Sequence, residues 1–321
     1  MTDIMVMGSN TVDVYVSTDV DLIEISHAQE DTDSLLGYPL GEKLLADDVH
    51  LAVGGSGVNA ATAFARVGFQ TTYTGCLGND MFGARVLDHL DSEEISFNGV
   101  LGDQNGLGII LESQATDRTI ISYKGCNSEL ELSDVTVEAE PDWFYSSTVI
   151  GETQTTMKSL IQSFEQTKTA VNISSYLAEN GVDSLEPILS FTDYLFVNRE
   201  EARSMTGDHD ITTVLKNLNS AVRGQAVVTA GSDGVYYEAE RVRRMLSHSE
   251  DVVDTTGAGD AFNAGFITAR SSDMSFADSV QAGMVQSEQV IQSENTTDNL
   301  LHKDDLLSAL QDDDRESEVI R

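Results

Sequence analysis

The stretch Val253-Asp254-Thr255-Thr256-Gly257-Ala258-Gly259-Asp260-Ala261-Phe262 decides how this chain is read. Two glycines flank one small residue and an aspartate follows at once. The run Ala261, Phe262, Ala264, Gly265, Phe266 and Ile267 then suits a long helix. A helix that opens on a glycine turn presents unpaired N–H groups and the positive end of its dipole. Together these bind anions, and a carboxylate in the first turn lies beside the bound anion. An anion hole with an adjacent base is what phosphoryl transfer to a hydroxyl requires. The same Gly-Ala-Gly-Asp also suits a plain loop with Asp as the helix cap. Four residues alone do not choose between the two.

Composition narrows the classes. The 321 residues permit one large α/β domain or two smaller ones. No segment approaches ~18 uninterrupted apolar residues, so no membrane span is expected. Residues 1–7 have no basic region, so no signal peptide is expected. Cys76 and Cys126 are no disulfide framework; among small and apolar neighbours they read as inert thiols in a reducing cytoplasm. There are 54 acidic residues against 18 basic ones, net −36, spread along the chain. That pattern suits a salt-rich cytoplasm, where molar salt shortens the Debye length to roughly 3 Å and self-repulsion is tolerable. An ordinary acidic cytosolic protein is the other reading. With no basic patch, nucleic acid is not expected as a partner. ATP can still bind if Mg²⁺ and local N–H groups offset the field.

Residues 4–7 read as a short buried strand ending at Gly8, and 12–16 as a further extended piece. Residues 17–48 are acidic and irregular (Glu30-Asp31-Thr32-Asp33) and read as a surface cover. Gly54-Gly55 opens a helix with Val58, Ala61, Phe64 and Ala65 at helical spacing, stopping near Gly68. A strand at 70–75 and a helix at 83–90 follow. Residues 106–111 and 118–123, parted by Gln114-Ala115-Thr116-Asp117, suggest a hairpin. Strands at 143–147, 170–173, 194–197, 227–229 and 235–237 then alternate with helices at 154–168, from Arg199 and after Asp260. This alternation predicts an α/β fold, a doubly wound and mostly parallel sheet with helices on both faces. A small β-lid is expected from 12–50 and 98–126, within one domain over 1–310. The acidic end, 311–321, is expected to fray.

Other constellations fall at strand ends. Gly54-Gly55-Ser56-Gly57-Val58-Asn59-Ala60 matches a dinucleotide fingerprint with Asp80 further on, which would suggest a dehydrogenase; the preceding strand is short for that. Alternatively, the glycine pair lets a small polar substrate reach the backbone while Asn59 donates and accepts. Asp13, just beyond Gly8-Ser9-Asn10-Thr11-Val12, is placed to grip hydroxyls or to cap a turn. Asn198 and Glu201, three apart after a strand, face the same way on a helical turn, as many acidic helix starts do. Val227 to Val235 reads as strand, turn and strand, with Asp233-Gly234 a hairpin signal.

Taken together these motifs resemble the ribokinase / phosphofructokinase-B (PfkB) family of carbohydrate kinases. The 253–262 stretch is similar to its second signature and 54–68 to its first, and the likeness runs from about residue 4 to 307. Two signatures in this order make a dehydrogenase a poor reading. The resemblance implies an ATP-dependent phosphotransferase in which Asp260 takes the proton of the acceptor hydroxyl and Gly257, Ala258 and Gly259 form the anion hole. It implies that Asp13, Gly54, Gly55 and Asn59 hold the acceptor. Asn198 and Glu201 would hold Mg²⁺ and phosphates largely through water; Thr229 and Gly231 would line the nucleotide, with Gly234 more structural. Asp254 and Thr256 match positions for a monovalent cation such as K⁺, although Ile291-Gln292-Ser293-Glu294-Asn295 departs from the glycine-alanine turn that completes such a site. Thr11 and Ser56 stand where several ribokinases carry asparagine and lysine, which speaks against ribose. Arg118 or Lys124 could face an anionic acceptor. A nucleoside kinase, with Tyr15, Tyr38 or Tyr123 stacking on its acceptor, and a non-catalytic sensor are the alternatives. A lid with an exposed edge suggests a lid-to-lid homodimer.

Overall fold

Segments such as Trp143-Phe144-Tyr145 and Leu195-Phe196-Val197 are apolar on both sides, so the sheet that holds them needs cover on both faces. A computed structural model describes residues 2–18, 22–26, 32–37, 40–112, 118–248, 252–293, 297 and 299–320. The chain runs β1 (Asp3–Met7), β2 (Thr11–Ser17), β3 (Leu22–Ser26), β4 (Thr32–Leu36), β5 (Asp48–Gly54), α1 (Ser56–Arg66), β6 (Gln70–Gly78), α2 (Met81–Ser92), β7 (Ser96–Gly102), β8 (Leu107–Glu112) and β9 (Arg118–Tyr123). It continues through β10 (Trp143–Ser146), α3 (Gly151–Ser163), β11 (Lys168–Asn172), α4 (Ser175–Ala178), α5 (Gly181–Leu189), β12 (Tyr194–Asn198), α6 (Arg199–Thr206), α7 (Ile211–Ala221), β13 (Gln225–Thr229), β14 (Val235–Glu238) and β15 (Val242–Met245). It closes with α8 (Ala258–Ser271), α9 (Phe276–Val290), α10 (Lys303–Asp312) and β16 (Ser317–Val319).

Ten strands form one sheet in the order β16-β15-β14-β13-β12-β11-β10-β1-β6-β7. From β7 to β13 every neighbour is parallel; β14, β15 and β16 add antiparallel strands at one edge. Alternate residues feed two cores. Met5, Phe144, Val171, Leu195 and Val228 meet α3, α5, α6 and α7 on one face. Ile4, Val6, Tyr145, Phe196 and Val227 meet α1, α2, α8 and α9 on the other. This is the doubly wound α/β architecture expected from the alternation of elements.

The lid is a separate sheet, β5-β2-β8-β9. In β2, Thr11, Asp13 and Tyr15 lie on one side and Val12, Val14 and Val16 on the other, as a pleated strand requires. The hairpin β8–β9 is present, and its turn at 114–117 lies outside the described residues. Within 17–48, read as irregular, β3 and β4 pair antiparallel. β7, rich in glycine and unanticipated, extends the main sheet at its edge. α3 spans Gly151–Ser163 rather than 154–168, because Lys168 already belongs to β11 and pairs with Trp143.

The acidic end departs most from expectation. Residues 311–321 were expected to fray, yet Ser317–Val319 pairs with β15. Arg315, its side chain 3% exposed, bonds Asp313 at 2.7 Å and Glu288 of α9 at 2.8 Å. A buried guanidinium held by two carboxylates outweighs the local charge run, because leaving any of the three unpaired costs several kcal/mol, about 3–5.

Candidate active site

α8 starts as the sequence requires of an anion site. Gly257 precedes it with φ +79°, a left-handed conformation open to glycine at little cost, and no side chain caps the helix. Asp260 is therefore the third residue of the helix and not its cap, which removes the plain-loop alternative. Ala258 N–H bonds Thr255 O at 3.2 Å. The N–H groups of Gly257 and Gly259 bond no described group. Burial pushes the Asp260 carboxyl up to about 7, with a hydrogen bond from Tyr145 acting in the opposite direction.

Beside this helix start lies a cavity of about 420 Å³, lined by Thr229 at the end of β13, by Gly231 and Gly234 from the β13–β14 connection, and by Ala258 and Gly259. Five residues singled out from two distant stretches thus share one wall. Val252, Phe262, Met284 and Ile291 give it an apolar part of its lining, with Val252 exposed and the other three buried. Sequence reasoning missed Val252 and Met284: an apolar residue on a helix such as α9 gives no sign that it faces a cavity. Asn198 is level with Thr229 across the β12–β13 pair.

The second group surrounds the start of α1. Gly54 ends β5 and Gly55 precedes the helix, with Asn59 buried in its first turn. The Asp13 carboxylate is packed between Gly54 and Gly108. A Cβ on Gly54 would sit 2.2 Å from Oδ2, and one on Gly108 would sit 2.3 Å from Oδ1. Burial raises the Asp13 pKa, while a hydrogen bond from the Thr11 side chain draws it down. So Thr11 serves Asp13. Ser56 is taken up by neighbours: Ser147 Oγ donates to its hydroxyl at 3.0 Å and Thr148 N–H at 3.3 Å. No dinucleotide turn forms here, and Asp80 instead caps α2. The two groups converge through β10. The Tyr145 ring meets Phe64 of α1 edge-on at 5.2 Å, and its hydroxyl accepts from Asn263 Nδ2 of α8 at 2.8 Å.

Asn198 and Glu201 hold each other. Asn198 Oδ1 accepts from Glu201 N–H at 2.9 Å, and Glu201 Oε2 accepts from Asn198 N–H at 2.8 Å. Ser175 Oγ donates to Glu201 Oε1 at 3.2 Å. Burial raises the Glu201 pKa. Among the described residues no three His, Cys, Asp or Glu side chains converge on a metal position. A donor set of this kind would hold Mg²⁺ only through water. Asp254 Oδ1 accepts from Thr256 N–H at 2.9 Å and from its hydroxyl at 2.8 Å, while Ile291 O accepts from Val253 and Asp254 N–H. Of the stretch expected to complete a cation site, Glu294 and Asn295 lie outside the described residues. So do Tyr38 and the side chain of Arg118. Lys124 is exposed, and its carbonyl accepts from Asn127 Nδ2 at 2.7 Å. Among the described residues no helix is long and apolar enough to cross a membrane.

A model of the pfkB family of carbohydrate kinases matches residues 15–303. A ribokinase of Lactococcus lactis is 26% identical over 265 residues, covering 78% of this chain and 83% of that protein. A ribokinase structure from Thermotoga maritima superposes with TM-score 0.77 at 19% identity, over 98% of this chain and all of the other. An adenosine kinase from Sinorhizobium meliloti does so with TM-score 0.77 at 20% identity, over 97% and 99%.

Proposed function

Because the chain belongs to the pfkB family of carbohydrate kinases, we propose that it moves the γ-phosphoryl group of ATP to a hydroxyl of a sugar or sugar derivative, with Asp260 as the base. One observation carries this reading: a carboxyl with a pKa of about 7 sits in the first turn of a helix whose glycine N–H groups open beside a nucleotide-sized cavity. A base poised near the working pH is most effective. Asp13, Gly54, Gly55 and Asn59 hold the acceptor. Its proton passes to Asp260 as the γ-phosphoryl crosses. Gly257 and Gly259 N–H groups stabilise the charge on the transferring oxygens, with Ala258 the least available because it already bonds Thr255. Mg²⁺, held through water by Asn198 and Glu201, would offset the phosphate charge.

ATP consumption against neutral sugars, sugar acids and nucleosides tests this, in molar KCl with Mg²⁺ beside Asp260→Ala. The expected result is turnover on one acceptor, lowered on the order of 10²–10⁴ in the variant. Near-wild-type turnover in Asp260→Ala removes the base from the reading. Nucleotide binding without turnover on any acceptor favours a sensor. Replacing KCl with an organic chloride at equal ionic strength tests K⁺ at Asp254 and Thr256; equal rates exclude it. A Tm that climbs with KCl into the molar range supports a salt-rich cytoplasm as the setting.

A nucleoside acceptor is the second reading, favoured by the lid. Tyr15 and His50 stack at 4.6 Å and 6° on the Asp13 side of the sheet. Tyr123, by its register, points away. That outer side also carries exposed Val49, Leu51, Ile121 and Tyr123, an apolar row that supports pairing of two lids. Sedimentation of Ile121→Glu against the parent chain checks the dimer.

A further inference from the structure

We infer that the Ser9 hydroxyl donates to an uncharged oxygen of the acceptor, and that Ser56 and Ser147 are positioning residues that fix the direction of that bond. This rests on the sugar-kinase reading of the site.

The three serines meet where the main sheet reverses its winding. From β1 the chain crosses by α1 to β6 on one side, and from β10 it crosses by α3 to β11 on the other. Open α/β sheets take ligands at such a reversal, in the crevice at the carboxyl ends of the strands. Here it falls between the neighbours β1 and β10. Ser9 follows the last residue of β1 by two, Ser147 directly follows the last residue of β10, and Ser56 opens α1. Gly8 lets them meet: a Cβ there would sit 2.1 Å from Ser147 Oγ and 2.7 Å from Gly57 Cα. Ser147 is buried, while Ser9 and Ser56 are half-buried.

Counting protons gives the trio a direction. A serine hydroxyl has one proton and two lone pairs. Ser56 Oγ accepts from Ser147 Oγ at 3.0 Å and from Thr148 N–H at 3.3 Å, which fills both lone pairs. Its own proton therefore goes to Ser9 Oγ, 3.2 Å away. Ser9 Oγ has no other hydrogen-bond partner among the described residues, so its proton is left for an oxygen that enters the crevice. The groups proposed to hold the acceptor lie alongside. A Cβ on Gly55 would sit 2.6 Å from Ser9 O, and one on the adjoining Gly54 would sit 2.2 Å from Asp13 Oδ2. An acceptor laid over these two glycines gives a hydroxyl proton to Asp13 and offers an oxygen lone pair to Ser9. None of the three serines carries a charge, and an ionised Asp13 repels anions. The group met here is therefore a hydroxyl, carbonyl or ring oxygen and not a carboxylate.

Neutron diffraction from perdeuterated crystals reads the direction without acceptor or turnover. The Ser56 deuteron is expected on the line to Ser9, and the Ser9 deuteron turned to a solvent oxygen in the crevice. A Ser9 deuteron on the line to Ser56 overturns the inference. Kinetics with the acceptor found by ATP consumption give the second arm. Ser9→Ala is expected to raise KM for the acceptor about 10-fold, with kcat and KM for ATP little changed. Ser56→Ala is expected to raise it less, about 3-fold. A deoxy or carba analogue lacking the oxygen that Ser9 meets should lose the same factor in the parent chain and nothing further in Ser9→Ala. An acceptor KM unchanged in folded Ser9→Ala, or turnover confined to sugar acids, also overturns the inference. Should no acceptor support turnover, the kinase reading falls, whereas the neutron arm still decides whether Ser9 has a proton to give.

Discussion

Helices α6 and α8 each carry a carboxylate as third residue and use it in opposite ways. At α6 the preceding residue is Asn198, whose side chain bonds the Glu201 amide while Glu201 reaches back to the Asn198 amide. Each carboxyl oxygen of Glu201 has a protein partner and a lone pair left for water, while the amides at the helix start are closed. At α8 the preceding residue is Gly257, which offers no side chain. Asp260, one methylene shorter, makes no such bond back to the helix start, and the glycine amides are left open. Burial raises the pKa of both carboxyls. The residue before the helix, not the carboxylate, decides whether the first turn bonds to itself or leaves its amides open.

Four substitutions press on this contrast. Asp260→Ala is expected to lose on the order of 10²–10⁴ in turnover with nucleotide affinity kept, measured by steady-state rates and calorimetry. Glu201→Gln keeps an oxygen for the Asn198 amide and is expected to lose less; under the proposed hold on Mg²⁺ through water, it should regain part of the loss at raised Mg²⁺, and equal losses without recovery would break the contrast. Asp260→Asn should stabilise the fold by on the order of 2 kcal/mol at pH 8. The sign follows from the folded pKa of about 7 against an ordinary 3.8. The folded state binds the proton more tightly, so the parent chain loses stability as pH climbs between those values. Denaturant melts at pH 4 and pH 8 should show the gap only at the higher pH. Gly257→Ala should cost roughly 1–2 kcal/mol, the strain of a side chain in the left-handed region, read from the same melts.

Much of this contrast could be read before any coordinates. Gly257, Asp260, Asn198 and Glu201 are legible because glycines and carboxylates at helix starts have few other uses, and the family resemblance ordered them. The parallel sheet was legible from the alternation of strands and helices along the chain. What stayed hidden depends on distant partners. Nothing around Tyr145 says that residue 263 will meet it, and Phe262 and Met284 look like ordinary helix core. β7 has too many glycines to read as a strand and is ordered by its neighbour β6. The run of charge at 311–318 gave the wrong expectation because Arg315 finds Glu288, 27 residues away.

That last contact has a consequence for the cavity beside α8. Glu288 lines it, and the Ser247 hydroxyl at 3.1 Å and His248 N–H at 2.9 Å bond the oxygen that Arg315 also reaches. One wall of the cavity is thus tied to a single buried guanidinium that also holds Asp313. Cutting the chain before Arg315 keeps every glycine turn and unties that wall. Chains ending at residue 312 should bind nucleotide more weakly than the whole chain while keeping their grip on the acceptor.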